Sequence, residues 1–462
     1  MVDQTPLQKI VLPTGKTLEV QTGLFINNKF VESIDGRRFE TENPSTGKLI
    51  ITVAEASEKD IDLAVDVATK AFNNDWQYVA GKERGQLLYK LAELMERDRE
   101  ELAELEALDN GKAYATAKNV DLQLTIETIR YYAGWADKIH GKVIETTHDK
   151  FNYTRHEPIG VVGQIIPWNF PLLMLAWKLG PALACGNTVI LKPAEQTPLS
   201  ALKTAALIRE AGFPPGVVNI VPGFGSTVTG RKILKAAAES NLKKVTLELG
   251  GKSPNIILED ADLDQAIKWA HMGIFFNHGQ CCCAGSRVYV HEKIYDNFLN
   301  RYKEYAQTTK LGDPFQPDTD QGPQISKLQF DKIMSYIESG KKEGATLVFG
   351  GNRHGTEGYY VAPTAFTDVA NDMKIMREEI FGPVVAISKI NSMEDAIEKA
   401  HLTEYGLAAA VFTKDVTRAI KVANSLKAGT VWESGIGREL GKYALQHYTE
   451  VKTVSINLGV VL

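Results

Sequence analysis

Apolar and polar positions run through this chain in two periods, one helical and one short and β-like, and their order predicts an α/β protein. Residues 57–72 place Ile61, Ala64, Val65, Ala68 and Phe72 at helical spacing behind a Ser-x-x-Asp capping box formed by Ser57 and Asp60. Residues 83–106 align Leu87, Leu88, Leu91, Leu94, Met95, Leu102 and Leu105 in one stripe opposite Glu and Lys, which predicts a second and longer core helix. After a charged segment at 140–150, the β-branched runs 160–166 and 188–191 read as strands. Thr197-Pro198 then opens a helix that reaches about Ala211. Residues 217–221 read as a strand, 226–240 as a helix and 244–249 as a strand. This βαβα series predicts a parallel sheet covered by helices, and a second α/β half runs from Asn255 to about Trp432.

A chain of 462 residues exceeds the size at which single cores stop growing, so two or three substructures are expected. The formal charge of −5, with no dense Lys/Arg block, gives no electrostatic reason to bind nucleic acid or anionic lipid and favours small-molecule chemistry. No stretch is apolar and long enough to span a bilayer, and residues 1–24 lack the pattern of a signal peptide. Of the four cysteines, Cys281, Cys282 and Cys283 are contiguous. They leave no loop to wrap a metal or build a disulfide framework, so no metal is expected and a reducing cytoplasm fits.

Two Gly-flanked turns carry reactive groups: Cys282 in the run 275–287 and Glu248 in the run 246–254. A thiol and a carboxylate are the two reagents needed to oxidise an aldehyde through a covalent thioester. Free cysteines are more often inert core, but Gly279, Gln280, Ala284 and Gly285 are a poor apolar wall. Of the three sulfurs, the reactive one should point into a cleft while its neighbours face the body of the protein. Cysteine-protease chemistry would need a partnered histidine, and His278 is too close in sequence to judge. The Gly-rich turn 223–230 lies between a strand and a helix, where backbone N–H groups collect a phosphate. Its spacing fits neither the dinucleotide fingerprint nor the Walker pattern, and a plain connecting turn is an equal reading. Glu195, after Lys192 at the end of an apolar run, can accept both hydroxyls of an adenosine ribose and would repel a 2′-phosphate, which favours NAD over NADP. A solvated loop pair is the bland alternative.

Five motifs then carry a resemblance over nearly the whole chain: Ile166-Pro167-Trp168-Asn169-Phe170-Pro171, Lys192-Pro193-Ala194-Glu195, Leu247-Glu248-Leu249-Gly250-Gly251-Lys252, Gly279-Gln280-Cys281-Cys282 and Glu379-Ile380-Phe381-Gly382-Pro383. In this order they resemble the aldehyde dehydrogenase superfamily, in its NAD-dependent, tetrameric class. The resemblance implies a Rossmann-type cofactor domain (1–135 and 159–250), an α/β catalytic domain (251–432) and a β oligomerisation arm and tail (136–158 and 445–462), with the tail pairing across subunits. It implies Cys282 as nucleophile, Glu248 as the base for the hydrolytic water and also for the thiol, and Asn169 with the backbone N–H of Cys282 as oxyanion donors. Lys192 and Glu195 would hold the adenosine ribose, Ile166, Trp168 and Leu249 would line the cofactor cleft, and Glu379 with Phe381 would position the nicotinamide and its ribose. Gly225, Ser226 and Gly230 match the pyrophosphate turn, and Lys178 with Glu439 match a pair associated with proton passage. On this scheme Cys282→Ala abolishes oxidation, while Glu248→Gln leaves a fast first turnover and slow deacylation.

The chain departs from the family pattern twice. A βα unit of about a score of residues is missing where two glycine turns fuse at Gly225, and a similar length is absent after Trp432, including the loop over the substrate entrance. The first loss would move the phosphate turn by one strand spacing, roughly 4.8 Å. It would also expose apolar surface on the strands left behind. Two function classes follow: an NAD-dependent aldehyde dehydrogenase acting as a homo-oligomer, or a catalytically impaired relative with a binding or structural role. The specific aldehyde stays open, since the entrance loop is among the missing residues.

Overall fold

The computed structural model describes residues 5–223, 229–429 and 435–458. The first sheet has five strands in the order Lys29–Val31, Leu24–Ile26, Val218–Ile220, Thr188–Lys192, Val161–Ile165. The last three run parallel, and Leu24–Ile26 pairs antiparallel to Val218–Ile220. Its two inner parallel strands, Thr188–Lys192 and Val218–Ile220, are buried on both faces. Val189 and Leu191 point into a core shared with the helices Gly81–Arg97, Leu122–Trp135, Pro171–Ala184 and Leu199–Ala211, whereas Ile190 points to Ala64 and Ala68 of the helix Glu58–Asn74. That last helix starts as the capping box predicts, with Asp60 accepting from both the N–H and the hydroxyl of Ser57.

The second sheet has six strands in the order Thr346–Phe349, Thr364–Thr367, Val384–Ile390, Arg287–His291, Pro254–Ile257, Ala410–Phe412, all parallel except the first pair. It too alternates: Ile256 and Tyr289 face one core, Ile257, Val288 and Val290 the other. Among the described residues, no helix is long and apolar enough to cross a membrane.

Four sequence expectations meet the fold, and the first two change. The helix expected over 83–106 divides at Asp98 into Gly81–Arg97 and Arg99–Asn110, because Asp98 leaves helical geometry (φ −97°, ψ 19°) and binds Arg97 and Lys203. The strand expected at 244–249 shrinks to Leu247–Glu248. It pairs antiparallel with Gly435–Ile436, outside both large sheets. The tail strand Thr449–Asn457, expected to pair across subunits, lies along one edge against Lys150–Pro158 of its own chain over nine registered positions, from Thr449↔Pro158 to Asn457↔Lys150. One edge of the tail is thus already satisfied within the chain.

The fourth concerns the shortened segments, and here the expected exposure is present. Val161–Ile165 is an outermost strand; Ile165 is 44% exposed, and a methyl group added at Gly163 would meet nothing within 4 Å. Parallel strands are ordinarily covered on both faces. Ala410–Phe412 is likewise outermost and only half-buried, next to a helix, Leu263–Phe275, whose Trp269 and Met272 are 56% and 49% exposed. A cavity of about 430 Å³ lies along that edge, bordered by Trp269, Asn255 and Cys283.

Candidate active site

The loop that carries Cys282 leaves the helix Leu263–Phe275 through a left-handed turn, with φ of 49° at Asn277, 60° at His278 and 72° at Gly279. Gly279 is required by space as well as by φ, since a Cβ there would lie 2.1 Å from the carbonyl of Gly382. Side-chain bonds hold the strained turn. Asn277 Nδ2 donates to the carbonyls of Asn169 (2.9 Å) and Gln280 (3.1 Å), and Gln280 Oε1 accepts from the N–H of Ile325 (3.0 Å). His278 Nε2 accepts from the N–H of Gly322 at 3.2 Å, and burial, aided by the charge of Lys112, lowers its pKa to about 3. A histidine so engaged is no base for a thiol, which removes the cysteine-protease reading.

Cys282 Sγ lies 3.1 Å from Glu248 Oε1, with the thiol donating to the carboxylate. The turn that carries Glu248 can close on the Cys282 loop only because residue 251 is glycine: a Cβ on Gly251 would fall 2.1 Å from the carbonyl oxygen of Cys282. The Cys282 pKa is raised by hydrogen bonding to the Cys281 and Cys283 thiols, then by burial and by the Glu248 charge. Cys281 packs between two cores, as expected of a neighbouring sulfur. Cys283, in contrast, is exposed at the cavity rather than turned to the body, and its Sγ lies 3.4 Å from that of Cys281.

Asn169 is buried beside this pair, its Nδ2 donating to the carbonyl of Gln280 at 3.1 Å. An amide nitrogen carries two hydrogens, so one bond does not exhaust it.

A second group of residues gathers where the parallel strands end, the usual place for a ligand in an open α/β sheet. Lys192 Nζ donates to the carbonyls of Gly223 (2.6 Å) and Pro193 (3.1 Å); burial lowers its pKa, against the charge of nearby Glu195. The N–H of Ile166 donates to the carbonyl of Lys192 at 3.1 Å, tying adjacent strand ends together. Phe381, at φ 58°, sets its ring edge-on to Trp168 with centroids 5.2 Å apart. Glu379 accepts from the N–H of Gly251 at 2.8 Å, and burial raises its pKa. A Cβ on Gly250 would stand 2.5 Å from that carboxylate, so the Gly-Gly pair makes room for it. Gly230, in the helix Thr229–Glu239, abuts Leu247 and Leu249, while Gly225 and Ser226 lie outside the described residues.

Lys178 and Glu439 form an ion pair although far apart in sequence, and Gln164 Nε2 donates to the carbonyl of Lys178 at 2.8 Å. Sequence reasoning missed the second layer: Asn277, Gln280 and a buried cluster of Glu106, Lys112 and Asp121 behind Asn169. The only signal was a run of polar residues, 109–112, closing an amphipathic helix.

Residues 30–432 match the sequence model of the aldehyde dehydrogenase family. The chain belongs to that family. It is 59% identical to an aldehyde dehydrogenase of Emericella nidulans, with 96% of each chain covered, and 57% identical to one of Alternaria alternata, with 98% of this chain and 99% of that one covered. Among solved structures it is similar to the NAD+ complex of an aldehyde dehydrogenase from Bacillus cereus (TM-score 0.93, 52% identity, 95% of this chain and 97% of that one). The alignment to the Emericella nidulans aldehyde dehydrogenase runs over 478 positions, more than the 462 residues here, so that relative has residues with no counterpart in this chain.

Proposed function

We propose that this aldehyde dehydrogenase oxidises an aldehyde to the carboxylic acid through a thioester on Cys282, with NAD as cofactor. The observation that carries the reading is the 3.1 Å contact between Cys282 Sγ and Glu248 Oε1. Glu248 takes the thiol proton, and the thiolate adds to the aldehyde carbon to give a thiohemiacetal. Asn169 Nδ2 and the backbone N–H of Cys282 stabilise its oxyanion, a donor of this kind being worth about 3 to 4 kcal/mol. NAD, when bound, supplies the acceptor for the hydride that leaves this carbon. Lys178 and Glu439 carry the thiol proton outward from Glu248, which then removes a proton from the water that attacks the thioester and returns it to the departing sulfur, releasing the acid and the Cys282 thiol.

Lys192 and Glu195 hold the adenosine ribose, and the Glu195 carboxylate disfavours NADP. Gly225, Ser226 and Gly230 receive the pyrophosphate, Ile166, Trp168 and Leu249 line the cleft, and Glu379 and Phe381 orient the nicotinamide end. Within this reading, 1–135 and 159–250 form the cofactor domain, 251–432 the catalytic domain, and 136–158 with 445–462 the arm of a homotetramer. The four free cysteines suit a reducing, cytoplasmic location. The test is NADH formation by the purified chain with a short aliphatic aldehyde, alongside NAD titration by tryptophan fluorescence. Turnover that disappears in Cys282→Ala supports the reading; NAD binding without turnover in the wild type refutes it in favour of a binding role.

A further inference from the structure

The end of the helix Arg99–Asn110 contributes more charge to the interior than its packing needs. Glu106, Asp109, Asn110, Lys112 and Asp121 are all buried, with at most 1% of any of them exposed. Burying an ammonium and carboxylates is expensive, and an apolar side chain of similar length would fill the space as well. Asp109 accepts from the N–H of Leu199 at 3.1 Å, whereas the bonds of Asn110, Lys112 and Glu106 converge on one other segment. Asn110 Nδ2 donates to the carbonyl of Trp168 at 2.7 Å, Lys112 Nζ to that of Asn169 at 3.1 Å, and Glu106 Oε2 accepts from the N–H of Leu172 at 3.2 Å. Lys112 also lies 4.5 Å over the Phe170 ring and is paired with Asp121, with Glu106 at 3.6 Å. Five consecutive residues, 168–172, are therefore gripped at four points by one polar cluster.

The carbonyl of Asn169 is gripped twice. Lys112 reaches it from the helix end, and Asn277, in the nucleophile loop, reaches it at 2.9 Å from the other side. Two donors on one oxygen fix the peptide plane from which the Asn169 side chain departs, and the same Asn277 amide fixes Gln280, two residues before Cys282. We propose that Lys112, held by Asp121 and Glu106, is a positioning residue that locks the Asn169 backbone and so keeps the Asn169 amide aimed at the oxyanion formed on Cys282. The inference rests on the oxyanion role given to Asn169 above.

The test is a double-mutant cycle on kcat/KM. Lys112→Met leaves Asp121 without its partner, so Lys112→Met/Asp121→Leu, which removes both charges at similar volume, is measured beside it. Either variant should lose about 10- to 100-fold in kcat/KM, the loss expected of a donor displaced by about 1 Å. NAD affinity by fluorescence and the rate of Cys282 alkylation should stay at wild-type values. In an Asn169→Ala background, Lys112→Met should cost less than about twofold, because residues acting through one another are not additive. A full additive loss in that background overturns the positioning role and leaves the oxyanion role standing. So does a double variant that fails to fold, which would assign the cluster to stability. An Asn169→Ala variant as active as the wild type overturns both roles.

Discussion

Replacing Glu248 by Gln keeps the shape of the side chain and removes its ability to take a proton. The sequence alone led to a fast first turnover followed by slow deacylation. The fold revises this, because the Cys282 thiol donates directly to Glu248 and its pKa is raised above that of an ordinary thiol. Without the carboxylate the thiolate must form through solvent, so acylation slows together with hydrolysis. General-base assistance is worth about 10²- to 10⁴-fold, or about 3 to 5 kcal/mol at roughly 1.4 kcal/mol per decade. In Glu248→Gln, steady-state kcat should fall by that factor. Stopped-flow NADH formation should show a first turnover slowed at least about tenfold that regains rate as pH rises from about 7 to 9, since hydroxide replaces the missing base. A first turnover at the wild-type rate would place thiol activation on another group. An unchanged kcat would deny Glu248 any part in the chemistry.

Gly251→Ala should lower kcat by about tenfold or more, and stability by about 1 to 3 kcal/mol, because the new Cβ would stand 2.1 Å from the Cys282 carbonyl and drive the two turns apart; kcat and thermal melting measure the two effects. His278 is held neutral, its pKa lowered from 6.5 to about 3 by burial, so the unfolded chain binds the extra proton first and stability is lost as pH falls from about 6.5 toward 3. Urea titrations at pH 7 and 5 should show His278→Gln losing less stability than the wild type over that interval, by about 1.4 kcal/mol per pH unit below 6.5; equal losses would contradict the assignment. Glu195→Gln should raise the preference for NADP relative to NAD by about tenfold in kcat/KM, through loss of repulsion toward a 2′-phosphate; an unchanged ratio would remove Glu195 from the ribose site.

Local chemistry explains which parts of this protein were legible in its sequence. Ser57 and Asp60 announce their helix because capping is satisfied within four residues. Thr188–Lys192 announces itself because a strand buried on both faces has to be an unbroken apolar run. Glu248 and Cys282 were found because each sits in a glycine turn, and Gly251 and Gly279 prove to be places where backbones nearly touch. What stayed hidden depends on pairings between distant residues. The strand at 244–249 lost most of its length because its partner is Gly435–Ile436. The break at Asp98 answers to Lys203, far along the chain, and the tail pairs with Lys150–Pro158. Lys112 and Asn277 read as ordinary polar residues until folding brings both to the Asn169 carbonyl. Exposure at Ile165 was foreseeable, since removing a neighbour from a parallel sheet leaves an edge whatever else rearranges.

The central claim is that one sulfur, Cys282, carries the acyl group. The most direct measurement is mass spectrometry of the chain quenched in acid during turnover with an aldehyde and NAD, followed by peptide mapping. The account predicts an acyl mass on Cys282, and a larger fraction acylated in Glu248→Gln once its slower first turnover is complete. NADH formed with no acyl group on Cys282, or with the group on Cys281 or Cys283 instead, would contradict it.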